Sequence, residues 1–574
     1  MPSRTRTAIL TLTLASLAAS GAWAAGTIAA PGPDQVPHVA GDSVLFAYSG
    51  LDGETKSEMP ATATVEDGGL TLRFHLPGDP VIRILLAENQ RLTWRAFTND
   101  LLVADIAGDD MPMILAWVSR DVVAGRLPAG ARAAFAGGDA NSVVLRKKIG
   151  DRSRFAFAYH TGGAQEAARL AAEGLRVSLE SLVENRLDFF AKAFKDVGDL
   201  PRDRTRTLAK AFSVMKVNVW SPEPPFTLRW TTPSRWPDRY QSTWATTFHA
   251  LGLMHLDMPL AKEALTAVYR RQGEDGMIPG WSGPGKTADH AHPPMLAWSA
   301  WHVYIYDKHR DRDFLRTSYD VASREVTWFL KNRRIGGPPP ENQPMTYDQP
   351  LYAWASAEEA GTPGSTRWSL GEGFAAVDLS CYLANECRTL YRMAQRLGYR
   401  VLAITWRDRA EDIAASARAH LWNADAGFFF DRQGRDGAFS EVWSYAGLLP
   451  LVMGVADEAQ AARLREHLAG ETFRTAAGVP TLGRGKPGFD GTGWSGGAWT
   501  PMNYVFVRGL QEQGLADLAD DLAERTRATT VTLYQQTGTL PQFVLTQGAP
   551  AAAGTRDYFP TAAVYTDLLL RPKP

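Results

Sequence analysis

Two adjacent carboxylates, Glu358 and Glu359, stand beside a Gly/Pro turn, Ala360-Gly361-Thr362-Pro363-Gly364, and are followed by Ser365-Thr366-Arg367-Trp368. A carboxyl in such a loop can act as a general acid if burial raises its pKa. The same residues also read as an exposed acidic turn. Asp557 lies far along the chain in Gly554-Thr555-Arg556-Asp557-Tyr558-Phe559-Pro560, directly ahead of a proline-started helix. The block reads first as an ordinary proline-started helix with a surface Arg–Asp pair. Asp378, in Ala376-Val377-Asp378-Leu379, is a further carboxylate at a helix start.

Around these acids the loops are rich in aromatic residues. Tryptophan is frequent, 18 of 574 residues, and its broad faces suit the apolar faces of sugar rings. Trp236 and Trp244 are candidate platforms, with Asp238 and Arg239 between them placed to hydrogen-bond hydroxyls. His249 follows in Phe248-His249-Ala250-Leu251-Gly252, and His292 lies in the loop after Asp275-Gly276-Met277-Ile278-Pro279-Gly280-Trp281. Arg367, Trp368 and Asp378 join this binding set. So do Trp494 and Trp499, in Gly493-Trp494-Ser495-Gly496-Gly497-Ala498-Trp499, where small residues let backbone approach a ligand. Each aromatic also reads as core. His290 lies two residues from His292, but no carboxylate or cysteine completes a ligand pattern, so no metal and no cofactor are expected. Cys381 and Cys387, six apart on a predicted helix, read as small buried apolar residues.

These loops need a frame. Residues 30–165 alternate with period two, as in Thr71–Leu76, Val81–Leu85, Leu92–Phe97 and Ser153–Tyr159, which predicts half-buried strands and an antiparallel β-sandwich. Residues 164–196 turn helical. From 202 onward twelve helices are expected, near 202–220, 241–257, 259–273, 293–309, 312–333, 374–398, 402–422, 439–454, 457–469, 499–513, 515–535 and 560–570. Long loops at 221–240, 276–292, 336–373 and 478–498 separate them, and loops of that length in a compact domain are usually functional. The N-terminus has a basic Arg4/Arg6 region, a short apolar run and Ala22-Trp23-Ala24, the pattern of an export leader. The expected organisation is leader 1–24, β-sandwich 25–165, helical linker 166–201 and an all-α domain 202–574, in a periplasmic or secreted protein. The 61 basic and 62 acidic side chains nearly cancel. That balance gives no field for nucleic acid or an anionic membrane and suits a neutral carbohydrate. No feature of the sequence points to a particular oligomeric state.

The ordered blocks Phe248–Gly252, Asp275–Pro279, Pro293-Pro294, Glu359–Trp368, Val377-Asp378-Leu379, Gly447–Leu451 and Gly493–Tyr504 resemble the trehalase-like and mannosylglycerate-hydrolase-like glycosidases, near glycoside hydrolase family 63. The resemblance implies an (α/α)6 toroid, often behind a β-sandwich, that inverts anomeric configuration with an Asp acid and a Glu base. The departures fall on the chemistry. The family's Trp-Asp pair is Trp244-Ala245, the position of its acid Asp is Pro363, and its base Glu is met by Gln542. If the protein turns over, those roles have moved. Glu359 is then the acid candidate, with Glu358 beside it, and Asp557 the base, with Asp238 and Asp378 in reserve. Inversion would require the two carboxyls to be about 6.5–9.5 Å apart. Three readings stay open: an exo-acting glycoside hydrolase with relocated carboxylates, a carbohydrate-binding protein on a glycosidase scaffold, and a polysaccharide lyase using a His or Tyr base with Arg367 to neutralise a uronate.

Overall fold

The computed structural model describes residues 10–13, 44–56, 60–66, 69–107, 109–237, 239–337 and 349–571. They divide into two compact units: residues 1–223 with 234–238 and 534–540, and residues 224–233, 239–533 and 541–574.

The first unit is a β-sandwich. One sheet has five strands in the order Arg132–Ala136, Val81–Leu85, Gly69–Phe74, Ala61–Glu66 and Val44–Phe46, all antiparallel. The other has seven, in the order Leu10–Thr13, Ser142–Ile149, Arg152–Tyr159, Val122–Leu127, Met113–Ser119, Leu101–Ile106 and Leu92–Phe97. Alternation puts Leu70, Leu72 and Phe74 inside, facing Trp117, Phe155 and Phe157 of the other sheet. Phe74 and Phe157 meet at 4.5 Å between centroids, and Phe46 and Trp117 at 5.7 Å. This is the interdigitated core of an aligned sandwich. Of the expected leader only Leu10–Thr13 is described, as an edge strand parallel to Ser142–Ile149. The remainder lies outside the described residues. The expected helical stretch after the sandwich resolves into Ala164–Gly174 and Leu179–Ala193, and Arg202–Val217 belongs by its contacts to this unit as well.

The second unit is built of helical hairpins. Its inner helices are Thr243–Leu253, Leu296–Tyr306, Val377–Leu397, Leu449–Val452, Thr500–Glu512 and Phe559–Leu570. Each touches the next, and the last returns to the first, so the ring closes. Between them in sequence run Met258–Tyr269, Arg312–Asn332, Arg400–His420, Glu458–Ala469 and Ala516–Thr537. These six and five helices, with Arg202–Val217 ahead of the first in sequence, give the helix count of an (α/α)6 toroid. The sequence distinguishes the two kinds of helix. Leu296–Tyr306, LAWSAWHVYIY, is apolar on nearly every side and largely buried. Arg312–Asn332 buries a stripe, Leu315, Tyr319, Ala322, Val326 and Phe329, and turns its charges outward with the exception of the buried Glu325, the pattern of a surface helix. Aspartates cap three starts: Asp257 and Asp311 accept from the amides of Leu260 and Phe314, and Asp457 forms a capping box with Gln460.

One expected helix is much shorter than its pattern. Residues 439–454 give only a 3-10 turn, Tyr445–Leu448, and Leu449–Val452. Pro450 lacks the amide that would continue the ladder. Gly447 is pressed so close to Phe428 and the Phe429 carbonyl that a Cβ would lie 2.2 and 2.4 Å from them.

Candidate active site

In a ring of α-hairpins the inner helices run in one sense, so their N-termini gather at one rim. Trp244, Asp378, Trp499 and Asp557 all stand within two residues of such a start, and Tyr445 opens the 3-10 turn that leads into Leu449–Val452. Side chains placed there also meet the unsatisfied amides and positive end of each helix.

The loop with the family-like block is stapled at both ends. Glu359 is fully buried and takes both forks of Arg333, at 2.6 and 2.7 Å, plus the Ala355 amide at 2.8 Å. Arg367, also buried, donates to Asp378 at 2.5 and 2.7 Å and to Asp431 at 2.5 and 2.8 Å. The Val377 amide donates to Asp431 and the Leu379 amide to Asp378, at 2.9 and 2.8 Å, and the Trp354 indole to Asp378 at 2.9 Å. Burial pushes the Asp431 carboxyl up from its ordinary value, against the pull of Arg367. Between the staples the apex turns through Gly361 and Gly364, at φ 67° and 74°, conformations that favour glycine. Pro363 stands exposed on that apex, where the family's acid would be. Trp368 is half-buried and donates to the Thr362 carbonyl at 3.0 Å. Glu358 is exposed.

An aromatic ladder lies on the next two loops. Trp494 stacks on Trp499 at 4.2 Å and 14°, Trp499 on Phe543 at 5.4 Å and 24°, and Tyr445 lies 6.0 Å from Trp494. Trp494 is half-exposed, and the Trp499 indole is fixed by the Gly493 carbonyl at 3.0 Å. Ser495 reaches the Gly364 carbonyl at 3.4 Å, which ties this loop to the stapled one. Trp244 packs edge-on against Phe248 at 4.8 Å, partly exposed.

The histidines divide. His249 is wholly buried, stacked on Phe559 at 4.0 Å and hydrogen-bonded to Thr231 at 2.8 Å. Burial holds its imidazole well below the usual value, so it serves as a neutral core ring. His292 is partly buried, 3.5 Å from the hydroxyl of Ser242, the cap of Thr243–Leu253. Burial, aided by His290, pushes it down to about 3.

Asp557 is fully buried and carries φ 52°, a left-handed conformation that Asp adopts more readily than most residues. It follows the hairpin Phe543–Leu545/Ala551–Ala553, whose mouth is closed by Gln542. That residue exchanges amide bonds with Thr555, 2.9 Å from its N–H and 3.0 Å to its side-chain oxygen. Ala245 is buried inside Thr243–Leu253. Arg239 is exposed, and Asp238 lies outside the described residues. Trp236 belongs to the first unit, where it is displayed on His75.

Asp431, Arg333, Tyr445 and Phe543 are the members that sequence reasoning missed. Arg333 ends a helix like any surface arginine, and Asp431 follows Phe428-Phe429-Phe430 with no motif around it. An acid closing a wholly apolar run was the one available signal.

The family model of the mannosylglycerate hydrolase MGH1-like glycoside hydrolase domain matches residues 238–559, and the chain belongs to that family. The toroid is similar to the GH63 mannosylglycerate hydrolase from Thermus thermophilus, solved in complex with glucose. The TM-score is 0.53 at 22% identity, over 63% of this chain and 99% of that one. It is also similar to neutral trehalase from Saccharomyces cerevisiae, with TM-score 0.50 and 16% identity over 65% and 80%. Among curated sequences it is 26% identical to the periplasmic trehalase of Pseudomonas aeruginosa over 40% of this chain and 42% of that protein. It is 24% identical to the trehalase of Oryctolagus cuniculus over 42% and 50%. The chain thus spans half or less of the length of these curated relatives.

Proposed function

We propose that this chain is an exo-acting, inverting glycoside hydrolase of the periplasm or extracellular space, acting on the ends of oligosaccharides or polysaccharides with relocated carboxylates. Asp557 is the carboxylate that activates water. The observation that carries this assignment is its setting: a fully buried acid with left-handed backbone at the head of an inner helix. Unusual backbone of that kind collects at working sites. It also lies two residues past Thr555, the hydrogen-bond partner of Gln542, which stands where the family has its base. Glu359 is bound at both oxygens by Arg333, so neither oxygen is turned to a substrate. It acts as the anchor of its loop, and the proton-donor role falls to Glu358 beside it, once bound substrate covers that carboxyl from solvent and so favours its protonated form. The half-exposed Trp494 and Trp244 supply faces for the sugar, Trp499 and Phe543 back Trp494, and Arg367 with Asp378 and Asp431 fixes the neighbouring loop that Ser495 reaches.

A second reading, saccharide binding without turnover, is favoured by Ala245, Pro363 and Gln542 together with the Arg333 clamp on Glu359. The lyase reading has less behind it, because the Arg367 guanidinium is taken up by two carboxylates.

The test is incubation of the purified protein with neutral oligosaccharides and uronate polymers, with products read by mass and ultraviolet absorbance. Products that have gained water, released from chain ends, are expected, with Asp557→Asn slowing their release by about a thousandfold or more. Full activity in that variant overturns the assignment. Binding with no product supports the second reading.

A further inference from the structure

We propose that the β-sandwich unit carries a saccharide platform of its own, the indole of Trp236 displayed on the imidazole of His75. The ligand is the apolar face of a pyranose in a neutral oligosaccharide. Only this choice of ligand class rests on the function proposed above.

Trp236 is 46% exposed, the one exposed Trp, Phe or Tyr among the described residues. An exposed tryptophan normally turns one face onto apolar neighbours and keeps its edge wet. Here the covered face lies flat on His75, at 4.6 Å between centroids and 7° between planes. His75 comes from the turn after Gly69–Phe74 and is held in turn by the Thr62 hydroxyl, 2.8 Å from Nε2. Burial, with Arg73 nearby, lowers the imidazole below its usual value. It therefore stacks as a neutral ring.

The backbone that presents the indole is fixed as firmly as its face. Arg235, the preceding residue, is buried with its guanidinium 3.6 Å over the Trp220 ring. It donates to the carbonyls of Val219 at 3.0 Å and Tyr48 at 2.5 Å. Ser234 donates to the Trp236 carbonyl at 3.0 Å. One residue is driven into the sandwich unit and the next is displayed outward. Such a ring has little rotamer freedom left to lose when a ligand covers it, and this is the condition for a preorganised contact. Trp236 contacts the sugar, and His75 is a positioning residue.

The experiment titrates the full chain with glucose- and mannose-based oligosaccharides of two to six units, by calorimetry and by tryptophan fluorescence. Wild type is expected to bind the longer chains more tightly. Trp236→Ala should weaken that binding about tenfold and Trp236→Tyr much less, while His75→Ala weakens it several-fold and His75→Phe restores it. Circular dichroism of each variant checks that it is folded. Failure of every oligosaccharide to bind wild type, or unchanged affinity of folded Trp236→Ala at every length, overturns the proposal. If hydrolysis is absent but the Trp236 variants lose binding, the platform stands and the catalytic reading falls. If hydrolysis proceeds while those variants bind as wild type does, the platform falls alone.

Discussion

In the first unit Asp52 and Asp100 face two cations, and in the second Asp378 and Asp431 share one. Lys216 lies 2.5 Å from Asp100 and 3.2 Å from Asp52, and Arg186 lies 2.5 Å from Asp52 and 3.3 Å from Asp100. Lys216 and Arg186 come from Arg202–Val217 and Leu179–Ala193, so this balanced cluster fastens two helices to the sandwich. Arg367 serves both carboxylates of its cluster alone, and backbone amides at the head of Val377–Leu397 make up part of the deficit. A balanced buried cluster has nothing left to offer a ligand. One with excess negative charge, among loops at a helix rim, favours positive charge developing nearby, which is what an oxocarbenium-like transition state carries. The count of cations per carboxylate therefore separates a fastening from a candidate site more sharply than burial does.

That comparison can be broken by removing one cation from each cluster. Arg367→Met strands two buried carboxylates at once, and a loss above about 4 kcal/mol is expected in chemical denaturation. Lys216→Met leaves Arg186 to hold both partners and should cost about 3 kcal/mol. If Lys216→Met is the more damaging, the redundancy argued for the first unit is not there. Asp431→Asn sharpens the contrast from the other side. It leaves a balanced Arg367–Asp378 pair, so the stability cost should be about 2 kcal/mol. Catalytic rate or saccharide affinity should nevertheless fall about tenfold, since the loop carrying Trp368 loses one of its anchors. A variant as active as wild type would make this cluster a second fastening.

The frame of the molecule was legible in the sequence because it rests on periodicity. Strands such as Val81–Leu85 and helices such as Arg312–Asn332 were marked by their alternation and stripes, and the closing ring follows from helices that are apolar all round. The helix expected at 439–454 was overestimated because the contact of Gly447 with Phe428 is tertiary. The blocks resembling the family also pointed to real structure, but to its staples: Glu359 and Arg367 hold a loop, while its apex is Pro363. Asp431 and Arg333 come from distant segments that only folding brings to those staples. No spacing rule joins Asp431 to Arg367 across 64 residues, and so the charge balance of this candidate site could not be read in advance.

A third buried pair extends the comparison to carboxyls with no cation in contact. Glu386 is fully buried and accepts from the amides of Ala297 and Trp298, at 2.8 and 2.9 Å, at the head of Leu296–Tyr306. Burial pushes it up to about 7 despite those bonds. Glu325, also buried, is raised by burial and by the charge of Glu386. Protons take the place of cations here. A carboxyl raised above its unfolded value of about 4.5 gives stability that is full below that value and is lost as pH rises through about 7. Between pH 5 and 7 this one group should draw stability down by about 2 kcal/mol. Glu386→Gln, which keeps an acceptor for one of the two helix amides but cannot ionise, should flatten that slope. Denaturant unfolding at pH 5, 6, 7 and 8 checks it. Parallel slopes for the two proteins would show that the helix amides alone carry the Glu386 charge, and the cation count would then fail as a guide wherever a helix start stands in for a cation.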